Sequence, residues 1–300
     1  MRGIFGAVGN LVLTVVGFAS GVIALGLFGN DVFGWMDDQG LYALFLLSIL
    51  LLLLLINAAY VQLTWGRDRK YAKTLKVLNA GFASVHNELD KNHDGVIDLE
   101  DARIACEAMC NNLSRAFQVI TGTMCSATVK ILLWDEDEGD MYAHALARDE
   151  VGKRVRAMND KLDRVKHYVK KNTCFTELIK CIETTKEDYF LRNNLPRENA
   201  KKTYRNTSFD TYGEIDKGIF VRLRRWPLPY KSTLVVPIAP NSPQERTENN
   251  LLGFLCIDSE SRYAFSKDYD VDLATGVADS LYNFLNAIHK EVESGRANLT

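Results

Sequence analysis

The chain opens on two long stretches without charge. No charged side chain occurs over 3–30, and a second uncharged stretch covers 39–66 with a leucine-rich core at 44–56. Each exceeds the roughly 20 residues that cross a bilayer core, so two transmembrane helices are predicted. A cleaved signal peptide would also begin with a short basic region such as Arg2, but the apolar run is too long for one and a second span follows directly. The turn between the spans carries Asp31, Asp37 and Asp38, whereas Arg67, Arg69, Lys70, Lys73 and Lys76 come after the second. Basic flanks stay cytoplasmic, which puts both termini in the cytoplasm and makes the chain an integral protein of the inner or plasma membrane. Gly17 and Gly21 form a GxxxG pair suited to close helix packing in lipid. Neither span carries an ionisable residue, the usual mark of an ion or substrate path, so the hairpin reads as an anchor or assembly element.

Beyond 66 the pattern turns amphipathic. Tyr71, Leu75, Leu78, Phe82, Val85 and Leu89 recur at spacings of four and three, the seam of a coiled coil. It reads either as a dimeric stalk or as a single helix lying on the domain that follows. Next comes Asp90-Lys91-Asn92-His93-Asp94-Gly95-Val96-Ile97-Asp98-Leu99-Glu100-Asp101, which resembles an EF-hand loop. Asp90, Asn92 and Asp94 stand at the first, third and fifth positions, where short oxygen-bearing side chains converge on one cation. Gly95 serves the sharp turn, Val96 offers its carbonyl and Asp98 a contact through water. Asp101 stands at the twelfth position in place of Glu, which weakens Ca2+ or favours Mg2+. The competing reading is a polar turn with Asp98 capping the next helix.

From 99 onward short strands and helices alternate, giving an α+β domain. A helix over 99–120 precedes a strand at 127–134, an acidic turn at 135–140 and a strand at 141–148, together a hairpin. A basic helical region at 151–169, a helix at Thr173–Thr184, a short strand at 189–191 and a polar stretch at 192–217 follow. Two strands, Ser232–Ile238 and 251–258, close the sheet, and the last helix, 267–293, buries Leu273, Val277, Leu281, Phe284, Leu285 and Ile288 at helical spacing.

This order, with the phrases Asn172-Thr-Cys-Phe-Thr-Glu-Leu178, Tyr230-Lys-Ser-Thr-Leu-Val-Val-Pro-Ile238 and Leu252-Gly-Phe-Leu-Cys-Ile-Asp258, resembles a GAF domain over about 101–293. The resemblance implies a six-stranded antiparallel sheet with helices packed on it. It also implies a concave pocket on the other face for a small molecule, often a cyclic nucleotide or a tetrapyrrole. The family's cyclic-nucleotide motif is incomplete here: Asn194 has no Lys beside it, and Phe209 is followed by Asp210 and Glu214 at the wrong spacing. Cys174 is the position to compare with a bilin-bearing cysteine, and it reads better as core.

Net charge is only −2, but the segment 153–205 is strongly basic, and Arg222, Arg224 and Arg225 stand beside Trp226. Guanidinium forks and an aromatic face suit a phosphorylated or nucleotide ligand; anionic headgroups or plain solvation would account for the same charges. Arg222, Arg224 and Trp226 are the candidate ligand residues. All six cysteines lie after the spans with no CxxC pair, as in a reducing cytoplasm. No P-loop, nucleophile elbow, HExxH, kinase or cyclase signature occurs, so no catalytic residue is assigned and no nucleic-acid partner is expected. The expected organisation is a membrane hairpin at 1–66, a stalk and loop at 67–101 and the sensor domain at 102–297. The leading reading is a membrane-anchored sensor, dimeric or larger, signalling through stalk and hairpin. The alternatives are a ligand-gated effector whose hairpins oligomerise and disrupt the membrane, and a scaffold that only dimerises.

Overall fold

The computed structural model describes residues 38–91, 98–157, 165–184, 188–211, 226–240, 242, 245–247 and 250–293. The chain divides into two units, 1–70 and 71–300. The first predicted span, 3–30, lies outside the described residues. The second falls in helix α1 (Asp38–Lys91), whose described side chains there are 46 and 48–58. Among the described residues no helix is long and apolar enough to cross a membrane; the described run at 48–58 is shorter than the roughly 20 residues a crossing requires. Leu46, Leu50, Leu53, Leu54 and Ile56 of α1 are exposed.

The second unit begins at Tyr71, within α1, and the predicted stalk is not a free seam. Thr74, Leu78, Gly81, Val85 and Glu88 are buried, with Leu78 and Val85 inside the main hydrophobic core. A Cβ on Gly81 would come within 2.9 Å of Met109 Sδ, so this face of α1 packs closely on helix α2 (Leu99–Thr121). Leu75, one of the six residues of the same predicted seam, is 63% exposed. The amphipathic face is spent on the domain's own core, and the choice left open by the spacing falls to the single helix.

The helix α2 is followed by the hairpin β1 (Cys125–Asp135) and β2 (Asp140–Arg148). Then come α3 (Glu150–Ala157), β3 (His167–Tyr168), a 3-10 turn at Val169–Lys171 and α4 (Thr173–Thr184). β4 (Phe190–Arg192), α5 (Leu195–Ala200), α6 (Ser208–Thr211), β5 (Ser232–Ile238), β6 (Gly253–Ser259) and α7 (Asp270–Glu293) complete the chain. The six strands form one sheet in the order β3-β2-β1-β6-β5-β4, every pair antiparallel. An antiparallel α+β sheet flanked by helices, as the sequence phrases implied, is therefore present. The basic region predicted as helix through 169 differs at its end: α3 is Glu150–Ala157, residues 158–164 lie outside the described ones, and His167–Tyr168 is a strand pairing with Tyr142 and Ala143.

Period-2 alternation assigns the two faces of the sheet. Val129 and Ile131 of β1, Leu234 and Val236 of β5, and Leu255 and Ile257 of β6 join α1, α2 and α7 in one core. Burial of each such side chain contributes about 1.5–3 kcal/mol. The intervening residues, among them Val235, Phe254 and Cys256, face a second, smaller cluster with Phe175, Leu178 and Tyr204. Thr128, Lys130, Thr233 and Asp258 alternate onto this second face too, and there they line cavities.

Candidate functional site

Two adjoining cavities, of about 190 and 50 Å3, share Thr128, Arg148, Arg156, Tyr230 and Asp258 in their walls. The outer, larger one is mainly apolar, with Met124, Val151, Val155, Leu228 and Pro229, and has Glu260 in its lining. The inner one adds Lys130, His167, Asn172, Cys174, Tyr204 and Asn206. Lysine in the middle of an otherwise apolar strand is an expensive choice, because desolvation disfavours its charged form. Lys130 is buried, its pKa is lowered chiefly by that burial, and its ammonium lies 5.0 Å above the Phe175 ring. Phe175 stacks in turn on Phe254 at 4.5 Å. Among the described residues Lys130 forms no ion pair.

Among the described residues Asp258 is the one carboxylate that lines both cavities. Burial dominates and pushes its pKa up to about 6, against the lowering pull of the Thr233 hydroxyl, Lys130, Arg156 and Arg148. His167 is held by its neighbours in sequence. Lys166 Nζ and the Tyr168 hydroxyl both donate to Asp135 Oδ2, at 2.7 and 2.8 Å, which leaves the residue between them turned to the sheet interior. Burial, then the charges of Lys130, Arg156 and Arg148, drive the His167 pKa well below its ordinary value. Its Nδ1 contacts Thr207 Oγ1 at 3.0 Å, whereas its buried Nε2 has no hydrogen-bond partner among the described residues. Buried polar atoms are almost always satisfied, and in the inner cavity that His167 lines a water or another hydrogen-bonding molecule would satisfy this one.

The thiols in the cavity walls are poor nucleophiles. Burial pushes Cys256 up to about 12 and Cys174 higher still, the opposite of the lowered pKa that reactive cysteines share. Tyr204 and Tyr230 are likewise raised by burial, and Asn206 Nδ2 donates to both hydroxyls, at 3.3 and 3.2 Å. A third cavity, about 290 Å3, opens between α2, β2 and α3 with Arg103, Lys153 and Glu107 in its walls. Its added cations are paired: Arg103 with Glu100 and Glu107, and Lys153 with Glu107 at 2.6 Å.

Of the predicted ligand residues, Arg222 and Arg224 lie outside the described residues. Trp226 is half-buried behind the site, donating its indole N–H to the Tyr230 carbonyl and meeting Phe209 edge-on at 5.6 Å. It supports Tyr230 and lines neither of the two cavities. Of the predicted cation ligands, Asn92, Asp94 and Val96 lie outside the described residues; Asp90 is exposed at the end of α1, and Asp101 is in the first turn of α2. Asp98 is the N-cap of α2, accepting from Glu100 N–H at 2.8 Å and Asp101 N–H at 3.2 Å. Among the described residues no group of three His, Cys, Asp or Glu side chains is placed to hold a metal. Asn194, lacking its Lys neighbour, caps α5 and donates to the Tyr263 hydroxyl at 2.9 Å.

The sequence reading passed over Lys130, Arg148, His167 and Asp258 as ligand residues. Lys130 carried a usable signal, as the single charge in an apolar strand that alternation turns away from the main core. His167 carried none, since the helix expected there gave it no defined face.

No protein-family model matches the chain, and no curated protein sequence matches it. Solved structures resemble it only distantly. A type II free methionine-R-sulfoxide reductase from Thermoplasma acidophilum aligns at 18% identity over 63% of this chain and 95% of its own, with a TM-score of 0.38. The GAF domain of an Acinetobacter phosphoenolpyruvate-protein phosphotransferase aligns at 13% over 75% and 97%, TM-score 0.39. Its counterpart from Coxiella burnetii aligns at 14% over 76% and 99%, TM-score 0.39. Likenesses at this level transfer no function, and what this chain binds has to be argued from its own cavity.

Proposed function

We propose that the chain is a membrane-anchored GAF-type sensor whose cytoplasmic domain binds a small anionic ligand and signals through α1 and the hairpin. The observation that carries the ligand half is the inner cavity, where Lys130, Arg148, Arg156 and His167 face a single carboxylate, Asp258. Cations held at low dielectric attract an anion far more strongly than surface cations do. The apolar outer cavity suits the body of such a ligand. Binding rather than thiol catalysis is favoured by the raised thiol pKa values.

The groups facing Asp258 across the cavity are Lys130 from β1, Arg148 from β2, Arg156 from α3, Tyr230 ahead of β5 and Cys256 on its own strand. Asp258 ionised repels an incoming anion; protonated, it no longer does. Its folded pKa of about 6 puts the change there, while His167, its pKa lowered, stays neutral. Affinity for benzenesulfonate, whose own charge is constant, should therefore rise as pH falls from 7.5 to 5, by at most about tenfold per unit above the midpoint and levelling off below it. Asp258→Asn should hold the tighter affinity throughout. Titration calorimetry at both pH values reads this; an affinity independent of pH removes Asp258 from the site.

Anchoring rests on the two uncharged stretches and on the exposed leucines of α1. A cysteine at residue 34 should react with an impermeant maleimide in intact cells, and one at residue 69 only after lysis. Labelling in the reverse order would put the cavity on the wrong side of the membrane for a cytoplasmic sensor.

A further inference from the structure

The orphaned nitrogen of His167 sits at the end of a short chain of hydrogen bonds that bears on which ring nitrogen carries the proton. Asn172, buried, donates from Nδ2 to the Tyr168 carbonyl at 2.7 Å and to Thr207 Oγ1 at 3.3 Å. Its Oδ1 is already engaged by the Thr207 backbone N–H at 3.1 Å. The Thr207 hydroxyl thus accepts from Asn172 and has one proton to give. Two acceptors are in reach, His167 Nδ1 at 3.0 Å and Asn172 Oδ1 at 3.4 Å, and the nearer one is unoccupied by any other donor. A neutral imidazole that accepts at Nδ1 carries its hydrogen on Nε2, the atom that is buried and without a protein partner.

We propose that Asn172 and Thr207 lock His167 in the Nε2–H tautomer, so that a neutral imidazole donates to the oxyanion head (carboxylate, phosphate or sulfonate) of the ligand in the inner cavity. This rests on the reading that the cavity binds an anion. His167 becomes the specificity-determining residue: Lys130 and the arginines attract any anion, whereas a fixed N–H favours one with an oxygen acceptor at that point. The neutral form suits the position, because a further buried cation beside Lys130 would repel it and a neutral donor does not. Asn172 and Thr207 act only through His167 and are positioning residues.

The test uses the full-length chain in detergent, with benzenesulfonate, inorganic phosphate and neutral benzenesulfonamide as probes. Selective 15N-histidine labelling should show one histidine with a protonated Nε2 and an acceptor Nδ1, shifting when benzenesulfonate binds and lost in His167→Gln. A hydrogen bond to a charged group corresponds to roughly ten- to hundredfold in affinity, so His167→Leu should weaken benzenesulfonate by that factor. His167→Gln, which keeps an N–H near the same point, should stay within about threefold. Thr207→Val should weaken binding and abolish the tautomer signature together. An Nδ1–H tautomer at His167, or benzenesulfonate binding unchanged in His167→Leu, overturns the lock while leaving the anion site standing. Benzenesulfonamide binding as tightly as benzenesulfonate shows a ligand site without anion selectivity. Failure of both anions to bind at 20 mM removes the anion reading itself and the lock with it.

Discussion

Gly253→Ala should be the most damaging single-methyl substitution in the domain. Gly253 opens β6, the strand between β1 and β5, and pairs with both Ile131 and Ile238. A Cβ there would lie 2.0 Å from the Lys130 carbonyl oxygen and 3.1 Å from the Ile131 Cα. Backbone on the far side cannot rotate away as a side chain would, so β1 and β6 must part and ladder hydrogen bonds lengthen. Overpacking of this kind costs 1–3 kcal/mol where side chains give way; against backbone we expect on the order of 4 kcal/mol. At about 2–4 °C per kcal/mol for a domain of this size, the melting temperature should fall by roughly 10 °C. Because the displaced carbonyl belongs to Lys130, affinity for benzenesulfonate should drop in whatever fraction remains folded. Gly276→Ala is the control. Gly276 lies within α7 with nothing within 4 Å of its would-be Cβ, and replacing a mid-helix glycine by alanine should stabilise by about 0.5–1 kcal/mol. Thermal unfolding followed by near-ultraviolet circular dichroism reads both; equal melting temperatures for the two variants would show that β1 and β6 do not approach as closely as described.

Leu78→Asp should unfold the domain rather than merely separate subunits. Leu78 is 1% exposed, in one core with residues of α2 and α7. A carboxylate there loses the apolar burial of leucine and meets no partner, and unpaired buried charge belongs to the few mechanisms that cost more than about 4 kcal/mol. Leu75→Asp, three residues earlier on the exposed face, should change stability by less than about 0.5 kcal/mol. The comparison separates the two readings of the seam. An interchain stalk predicts that both substitutions leave the domain folded and shift oligomeric state; a helix packed on its own domain predicts loss of the folded signal for Leu78→Asp alone. Light scattering and circular dichroism on the same samples distinguish them.

Most of the domain's frame was legible because the core-forming segments repeat with the period of their own structure. The helix at Thr173–Thr184 and the strand Ser232–Ile238 have the bounds their patterns indicate. The β1–β2 hairpin was announced by two apolar strands around an acidic turn, and α2 and α7 by apolar residues three and four apart. The short elements were legible only in part. The strand expected at 189–191 is β4, one residue further on, whereas β3, two residues long, is too brief for any periodicity, and α5 and α6 lie in what composition marks only as a polar stretch.

Local pattern determined the uncharged N-terminal stretches, the alternation of strands and helices after 99, the face of α1 that had to be covered and the basic character of 153–205; the antiparallel sheet was implied only by the resemblance of whole phrases. Only the tertiary structure decided what covered that face, because a seam of Leu78 and Val85 looks the same whether its partner is a second chain or the domain's own α2. The site also belongs to the tertiary structure alone. Lys130, Arg148, Arg156, His167 and Asp258 come from β1, β2, α3, β3 and β6, and nothing in their sequence spacing shows that antiparallel pairing and a strand's twofold alternation bring them to one cavity. Their chemistry depends on that cavity too: the raised Asp258 and the neutral His167 follow from removing water around groups that, read as sequence, are ordinary charged residues.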